Sequence, residues 1–207
     1  MPKIISFISR KGGTGKTTNA INLATSMVSS GHKVLLIETD PNFTLTTLRK
    51  METFKTHSDE SFAIAGSNDE TVADEILQLR EGRKYNYIIV DSAGKTTNEG
   101  IKKLCLVSNV VIVPTSLTQN DLLVTYQTVT DLNPAKDLNP DLKILILPNR
   151  IHSSTGLHTV RDSLKNLNAL ILPVVVPQKN LFANFSTSIA EKSYEKIFQE
   201  IMKHVDG

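Results

Sequence analysis

The chain has 207 residues, with 23 Lys and Arg against 21 Asp and Glu, 40% hydrophobic residues, one Cys and no Trp. That length suits one domain with a substantial core, and a lone Cys105 excludes a disulfide framework or a multi-Cys zinc or iron–sulfur site within one chain. A formal net charge of +2 is too small to imply nucleic acid by itself, and apolar runs of strand length leave nothing to span a bilayer. The opening MPKIISFISRK enters a strand-like run without the apolar stretch and cleavage site of a secretory signal, so a soluble, cytoplasmic protein is expected.

In chain order, strand-like and helix-like segments alternate. Apolar runs at Ile4–Ile8, Val34–Ile37, Tyr87–Val90, Val110–Val113, Ile144–Leu147 and Ile171–Val176 are rich in Ile and Val and nearly continuous, as in parallel strands covered on both faces. Between and after them, Thr17–Ser30, Val72–Leu79, Thr96–Leu106, Asp121–Leu132, Thr155–Leu167 and Ser188–Val205 carry apolar residues at helical spacing. Glu52–Asn68 is the least patterned stretch, with a short apolar patch at Phe62–Ala65, and Asn133-Pro134 and Asn139-Pro140 bracket a loop. The expected fold is α/β: a doubly wound, mostly parallel sheet with helices on both faces, forming a single domain over residues 1–207. Ligands of such sheets bind beyond the carboxyl ends of the strands, so the residues just after each run matter most.

The strongest such signal is Ser9-Arg10-Lys11-Gly12-Gly13-Thr14-Gly15-Lys16-Thr17-Thr18, between the first strand and the first helix. Glycines allow backbone N–H groups to turn inward around an anion, and the helix amino end adds favourable partial charge. Lys16 would reach the β- and γ-phosphates, the Thr17 hydroxyl would ligate Mg²⁺, and Thr18 would hold the α-phosphate. The position of the usual first Gly is Arg10, and an additional lysine, Lys11, follows it.

Lys11-Gly12-Gly13-Thr14-Gly15-Lys16-Thr17 is a deviant Walker A motif, and the chain resembles the ParA/MinD ATPases, most of all the short, ParF-like ParA partition proteins. The resemblance implies a P-loop fold, ATP and Mg²⁺ as cofactors, and a nucleotide-sandwich homodimer in which Lys11 crosses to the partner's phosphates. It also implies that Asp40, in Glu38-Thr39-Asp40-Pro41, orients the attacking water and approaches the Mg²⁺ shell. Relatives often carry Asp where this chain has Glu38, and Glu38 is given no catalytic role. Asp91, ending Tyr87-Ile88-Ile89-Val90-Asp91, matches Walker B and would hold Mg²⁺ through water, while Ser92-Ala93-Gly94 resembles the switch II turn. Catalysis is thus expected from Lys11, Lys16 and Asp40, and metal binding from Thr17, Asp40 and Asp91.

Asn149 and Arg150, after the fifth run, and Pro177 and Gln178 match the family's adenine pocket, with two ordinary loop starts as the alternative. No guanine motif is evident, which favours ATP over GTP. Asp121 either belongs to a dimer-facing segment or is an early helical carboxylate serving the helix dipole. Cys105 is expected to be buried, and His57, His152, His158 and His204 to be surface residues.

Arg150, Arg161, Lys165, Lys179, Lys192, Lys196 and Lys203, with Lys102-Lys103, supply candidates for sequence-independent DNA contact, although Glu191, Glu195 and Glu200 interleave with some of them. The resemblance implies a nucleoid-associated switch for plasmid or chromosome partition, closed by ATP and released by a ParB-like centromere-binding partner. Alternatives are a ParA-like ATPase positioning a protein cargo, a MinD-like membrane-associated ATPase, or a metabolic P-loop enzyme. Membrane association is disfavoured. The stripe Ile189, Ile197, Phe198, Ile201 and Val205 is expected to pack against the sheet, and no basic tail follows Gly207.

Overall fold

The computed structural model describes residues 1–56, 62–94, 97–182 and 184–207. Its strands are β1 (Lys3–Phe7), β2 (Val34–Glu38), β3 (Ala63–Gly66), β4 (Tyr87–Asp91), β5 (Val110–Thr115), β6 (Lys143–Ile151), β7 (Leu170–Ile171) and β8 (Val176–Pro177). The helices are α1 (Lys16–Ser29), α2 (Thr44–Thr56), α3 (Val72–Glu81), α4 (Asn98–Val107), α5 (Gln119–Leu132), α6 (Leu157–Leu164) and α7 (Glu195–Asp206). One sheet runs β3-β2-β4-β1-β5-β6-β7, with β8 paired to the far end of β6, and these pairings are parallel. This is the doubly wound α/β architecture expected from the alternation.

Successive strand residues face opposite ways, which divides the core. Ile5, Phe7, Leu36, Ile89, Ile112, Leu145 and Leu147 pack with α1, with Leu45 of α2 and with Ile197, Ile201 and Val205 of α7. On the other face Ile4, Leu35, Ile37, Ile88, Val90, Val111 and Val113 pack with Ile76 of α3 and with Leu104 and Cys105 of α4. Ile146 meets Val129 of α5 and Val160 and Leu164 of α6 on that same side. Cys105 is fully buried as expected, and burial pushes its thiol up to about 12.

The connection from β1 to β2 steps over β4, and that from β4 to β5 steps over β1. The chain therefore leaves β1 and β4 in opposite directions, opening a crevice at their carboxyl ends. Register makes the crevice level: Phe7 and Glu38 both stand opposite Asp91. The segments beginning at Ile8, Thr39 and Ser92 therefore leave the sheet side by side.

Two expectations need correction. The run Ile171–Val176 is not one strand: it breaks into β7 and β8 around Pro173, which has no N–H for a ladder. The stretch Glu52–Asn68, the least patterned in sequence, holds the end of α2 and, at its apolar patch, β3. The expected helix Ser188–Val205 begins only at Glu195. Before it, Ser186 Oγ accepts from the Ser188 and Ile189 amides, and Glu191 caps a short 3-10 turn at Lys192–Tyr194. Ile189 is consequently 72% exposed, whereas Ile197, Phe198, Ile201 and Val205 are buried as the stripe predicts. The loop after α5 contains a 3-10 turn at Asn133–Asp137. Helix α4 starts after the Thr97 cap, whose oxygen accepts from the Gly100 amide; Thr96 and His57 lie outside the described residues. Among the described residues, no helix is long and apolar enough to cross a membrane.

Candidate nucleotide-binding site

The loop between β1 and α1 is shaped by a residue that only glycine can fill. Gly15, the N-cap of α1, has φ 100°, and a Cβ there would stand 2.1 Å from Asn149 Nδ2. Any side chain would collide with Asn149 and strain the backbone. Helix α1 has no acidic residue in its first turn and no side-chain cap, so its amino end offers N–H groups to an anion. Lys16 opens the helix, 6% exposed, and its Nζ donates to the Lys11 carbonyl at 3.2 Å, curling back over the loop. Burial lowers its ammonium pKa, against the opposing pull of Asp91, Asp40 and Asp69. A buried cation facing carboxylates but bonded to a carbonyl is suited to receive phosphate oxygens.

Asp91 ends β4 at the floor of the crevice. Burial pushes its carboxyl up to about 7, opposed by a hydrogen bond from Thr17 and by Lys16. Its Oδ1 is buried without a protein partner, as are Thr14 Oγ1 and Ser92 Oγ. An orphaned buried carboxylate oxygen beside a threonine hydroxyl fits a hydrated Mg²⁺, whose octahedral shell takes one or two protein oxygens and fills the rest with water and phosphate. Among the described residues, no three His, Cys, Asp or Glu side chains form a metal cluster. Asp40 is half-buried, and its Oδ1 accepts from the Asn42 backbone (3.0 Å) and side chain (2.8 Å), an Asx turn that holds the Pro41–Asn42 bend.

Gly94 completes the enclosure. A Cβ there would come within 2.8 Å of both Cα and N of Gly12, so the turn after β4 lies directly on the phosphate loop.

The expected base-side residues do come together. Gly15, Thr18, Asn149, Arg150, Pro177 and Gln178 line a cleft of about 460 Å³, in the range of ligand sites. Their roles differ, however. Asn149 is buried and donates through Nδ2 to Thr14 O at 2.7 Å, while its Oδ1 faces Asn19 Nδ2 at 3.4 Å. It ties the end of β6 to the phosphate loop as well as bordering the cleft. Arg150 is exposed at φ 55°.

The Lys11 side chain takes a different partner from that of Lys16. Its Nζ donates to Asp121 Oδ1 at 2.6 Å, and Asp121 Oδ2 accepts from Ser116 Oγ at 2.5 Å. Burial would raise the Asp121 carboxyl, but Lys11, Ser116 and Thr118 outweigh it and hold it below the usual carboxylate range. The next residue back, Arg10, binds Asn98 of α4 and Asp131 of α5, fixing the start of the loop.

Several contributors carry no motif. Asn19 Nδ2 donates to Gly15 O at 2.8 Å, and its Oδ1 accepts from Tyr194 OH at 3.0 Å, joining the last part of the chain to the phosphate loop. Glu38 accepts from the Leu45 amide (2.9 Å) and from the Thr46 amide (2.8 Å) and hydroxyl (2.5 Å), holding the first turn of α2. Asp69, after β3, accepts from Thr39 Oγ1 at 2.6 Å. Reading the patch at Phe62–Ala65 as a strand would have placed Asp69 among the carboxyl-end loops, where ligands bind.

The VirC1 family model matches residues 2–191. The chain belongs to the VirC1 family. It is thereby one of the ParA/MinD-like proteins, as the deviant Walker A motif implied. Among its relatives, the VirC1 protein of Rhizobium rhizogenes is 28% identical over 140 residues, 66% of this chain and 60% of that protein. The alignment thus covers about three-fifths of the curated VirC1 proteins' length. The chromosome partitioning protein ParA of Caulobacter vibrioides is 49% identical over 39 residues, 19% of this chain and 15% of that one. The solved septum site-determining protein MinD of Pyrococcus horikoshii, complexed with Mg-ADP, shares the fold of this VirC1-family chain. It has a TM-score of 0.69 and 21% identity, with 100% of this chain and 96% of that chain covered.

Proposed function

We propose that this VirC1-family chain is a Mg²⁺-dependent ATPase of DNA partition, working as one domain over residues 1–207. The observation that carries the proposal is the pair of lysines on one loop. Lys16 is committed to the chain's own crevice, while Lys11 stands outside it on Asp121. Lys11 is 37% exposed there, so water reaches its ammonium although the Asp121 carboxylate is buried. A second copy's triphosphate offers more negative charge at close range and draws Lys11 across.

In the chain's own site, Lys16 and the amides at the start of α1 bind the phosphates, and Gly94 closes the turn after β4 over them. Thr17 and Asp91 would hold Mg²⁺, which would supply neutralisation of phosphate charge when bound. Asp40 orients the attacking water, and Lys11 of the second copy stabilises charge on the phosphoryl group in flight. The cleft beside Asn149, Arg150, Pro177 and Gln178 receives the adenine. ATP thereby closes a homodimer, and hydrolysis opens it.

Closure also doubles the exposed basic residues Arg150, Arg161, Lys165, Lys179, Lys192, Lys196 and Lys203 into a surface for DNA phosphates. A ParB-like partner accelerates hydrolysis and frees the dimer from the nucleoid in the cytoplasm. The test is binding of a random-sequence duplex with ATP, ADP or no nucleotide at two salt concentrations, with Lys16→Ala as the nucleotide-blind control. Salt-sensitive binding with ATP alone, absent in Lys16→Ala, supports the proposal. Equal binding in all three nucleotide states, or none in any, rejects a nucleotide-gated DNA switch.

A further inference from the structure

Three loops meet around one hydroxyl at the edge of the crevice. Thr39, between buried Glu38 and the Asp40 turn, places Oγ1 where it accepts the Ala93 N–H at 2.9 Å and donates to Asp69 Oδ1 at 2.6 Å. A hydroxyl has a single proton, so the direction of this chain is fixed: Ala93 N–H to Thr39 O–H to the Asp69 carboxylate. Donation to a charged acceptor strengthens a hydrogen bond and polarises the hydroxyl, which makes Thr39 a better acceptor for Ala93. The Thr39 backbone is anchored as well, its N–H donating to Asp91 O at 3.0 Å.

Asp69 is not needed by its own turn. There Asn68 Oδ1 takes the Glu70 and Thr71 amides, at 3.0 Å and 3.1 Å. The Asp69 carboxylate reaches instead to Thr39, thirty residues back in the chain, and lies within electrostatic range of Lys16. Its backbone also abuts α4, since a Cβ on Gly100 would come within 3.1 Å of Asp69 O. The group held at the far end of the chain is Ala93, whose neighbour Gly94 lies on Gly12 of the phosphate loop.

We propose, resting on the ATPase assignment above, that Thr39 and Asp69 are positioning residues that lock the Asp40 loop and the Ala93–Gly94 turn into one unit. The carboxylate that orients water and the turn that covers the phosphates then move together. The pair acts on turnover more than on nucleotide binding, because neither residue belongs to the phosphate loop or the base cleft.

The test compares ADP affinity and ATP turnover in the full chain for wild type, Thr39→Val, Thr39→Ser, Asp69→Ala and the Thr39→Val/Asp69→Ala double variant. Thr39→Val and Asp69→Ala are each expected to lower kcat about tenfold with ADP affinity within about twofold. Thr39→Ser should restore most of the rate, and the double variant should be no slower than Thr39→Val alone. Rates within about twofold of wild type in both single variants, multiplying losses in the double, or equal losses of kcat and ADP affinity would each overturn the coupling. If Thr39→Val does not fold, Asp69→Asn beside Asp69→Ala carries the comparison: the amide oxygen still accepts, so its rate must lie between Asp69→Ala and wild type. A wild-type chain that binds no ATP removes the ATPase assignment and the coupling with it. Active wild type with silent variants removes the coupling alone.

Discussion

Asp40 and Asp91 face the same crevice in different settings. Asp40 is half-exposed, and its Oδ1 accepts from the backbone and side chain of Asn42, which orients the carboxylate within its own turn. Asp40→Ala is expected to retain ATP binding while turnover falls at least about tenfold in a steady-state assay, and unaltered turnover would reduce Asp40 to a bend-forming residue. Asp91 is buried, and its carboxyl stands at about 7 instead of 3.8. Over that interval the folded chain keeps a proton that the unfolded chain has lost, so Asp91 favours folding at low pH and that contribution fades as pH rises toward 7. Mg-ADP requires the ionised form, so its affinity should climb between about pH 6 and about pH 8, whereas the melting temperature of the free chain should decline between about pH 4 and about pH 7 and then level off. Asp91→Asn should flatten both trends, as read by calorimetry and thermal melts. A pH-independent affinity in the parent chain would mean that Asp91 is not the group that gives up its proton.

At the scale of elements, Glu38 shows how a carboxylate at a strand end seats the helix that follows. Its side chain ends among the Leu45 and Thr46 donors at the start of α2. Glu38→Ala should cost about 2 kcal/mol in urea unfolding, while Glu38→Gln, which still accepts, should cost less. Equal stability of Glu38→Ala and the parent chain would show that α2 is seated by its other contacts. Helix α2 also marks the limit of what the sequence discloses. It buries only Leu45 and Arg49, too few for an apolar stripe. Arg49 is held by Thr187, 138 residues away, and by the carbonyl and ring of Phe62. No local pattern encodes such contacts. The central strands, by contrast, were legible because both of their faces are covered, which makes the runs at Ile4, Val34, Tyr87, Val110 and Ile144 continuous. Within the site the division is similar. Backbone-shaping residues such as Gly15 and Lys16 announce themselves by spacing. Asn19, Thr39 and Asp69 do not, because their partners lie on other elements.

For the whole molecule, the contact between Lys11 and Asp121 sets a competition between the chain and a second copy. Removing the competitor shifts the balance: Asp121→Ala is expected to raise the dimer fraction at subsaturating ATP by about threefold to fivefold, measured by sedimentation. A dimer fraction unchanged from wild type would mean that Lys11 takes no part in self-association.

The amino ends of the strands offer a practical consequence. Lys3 and Tyr87 begin β1 and β4, and Tyr87 OH donates to Asp206 at the end of α7, while Lys143 Nζ at the start of β6 donates to His204 O. Lys3 is exposed and lies across the sheet's full height from the phosphate loop. A dye carried by a cysteine substituted there would sit behind the nucleotide face, so a labelled protein could be followed without touching the site.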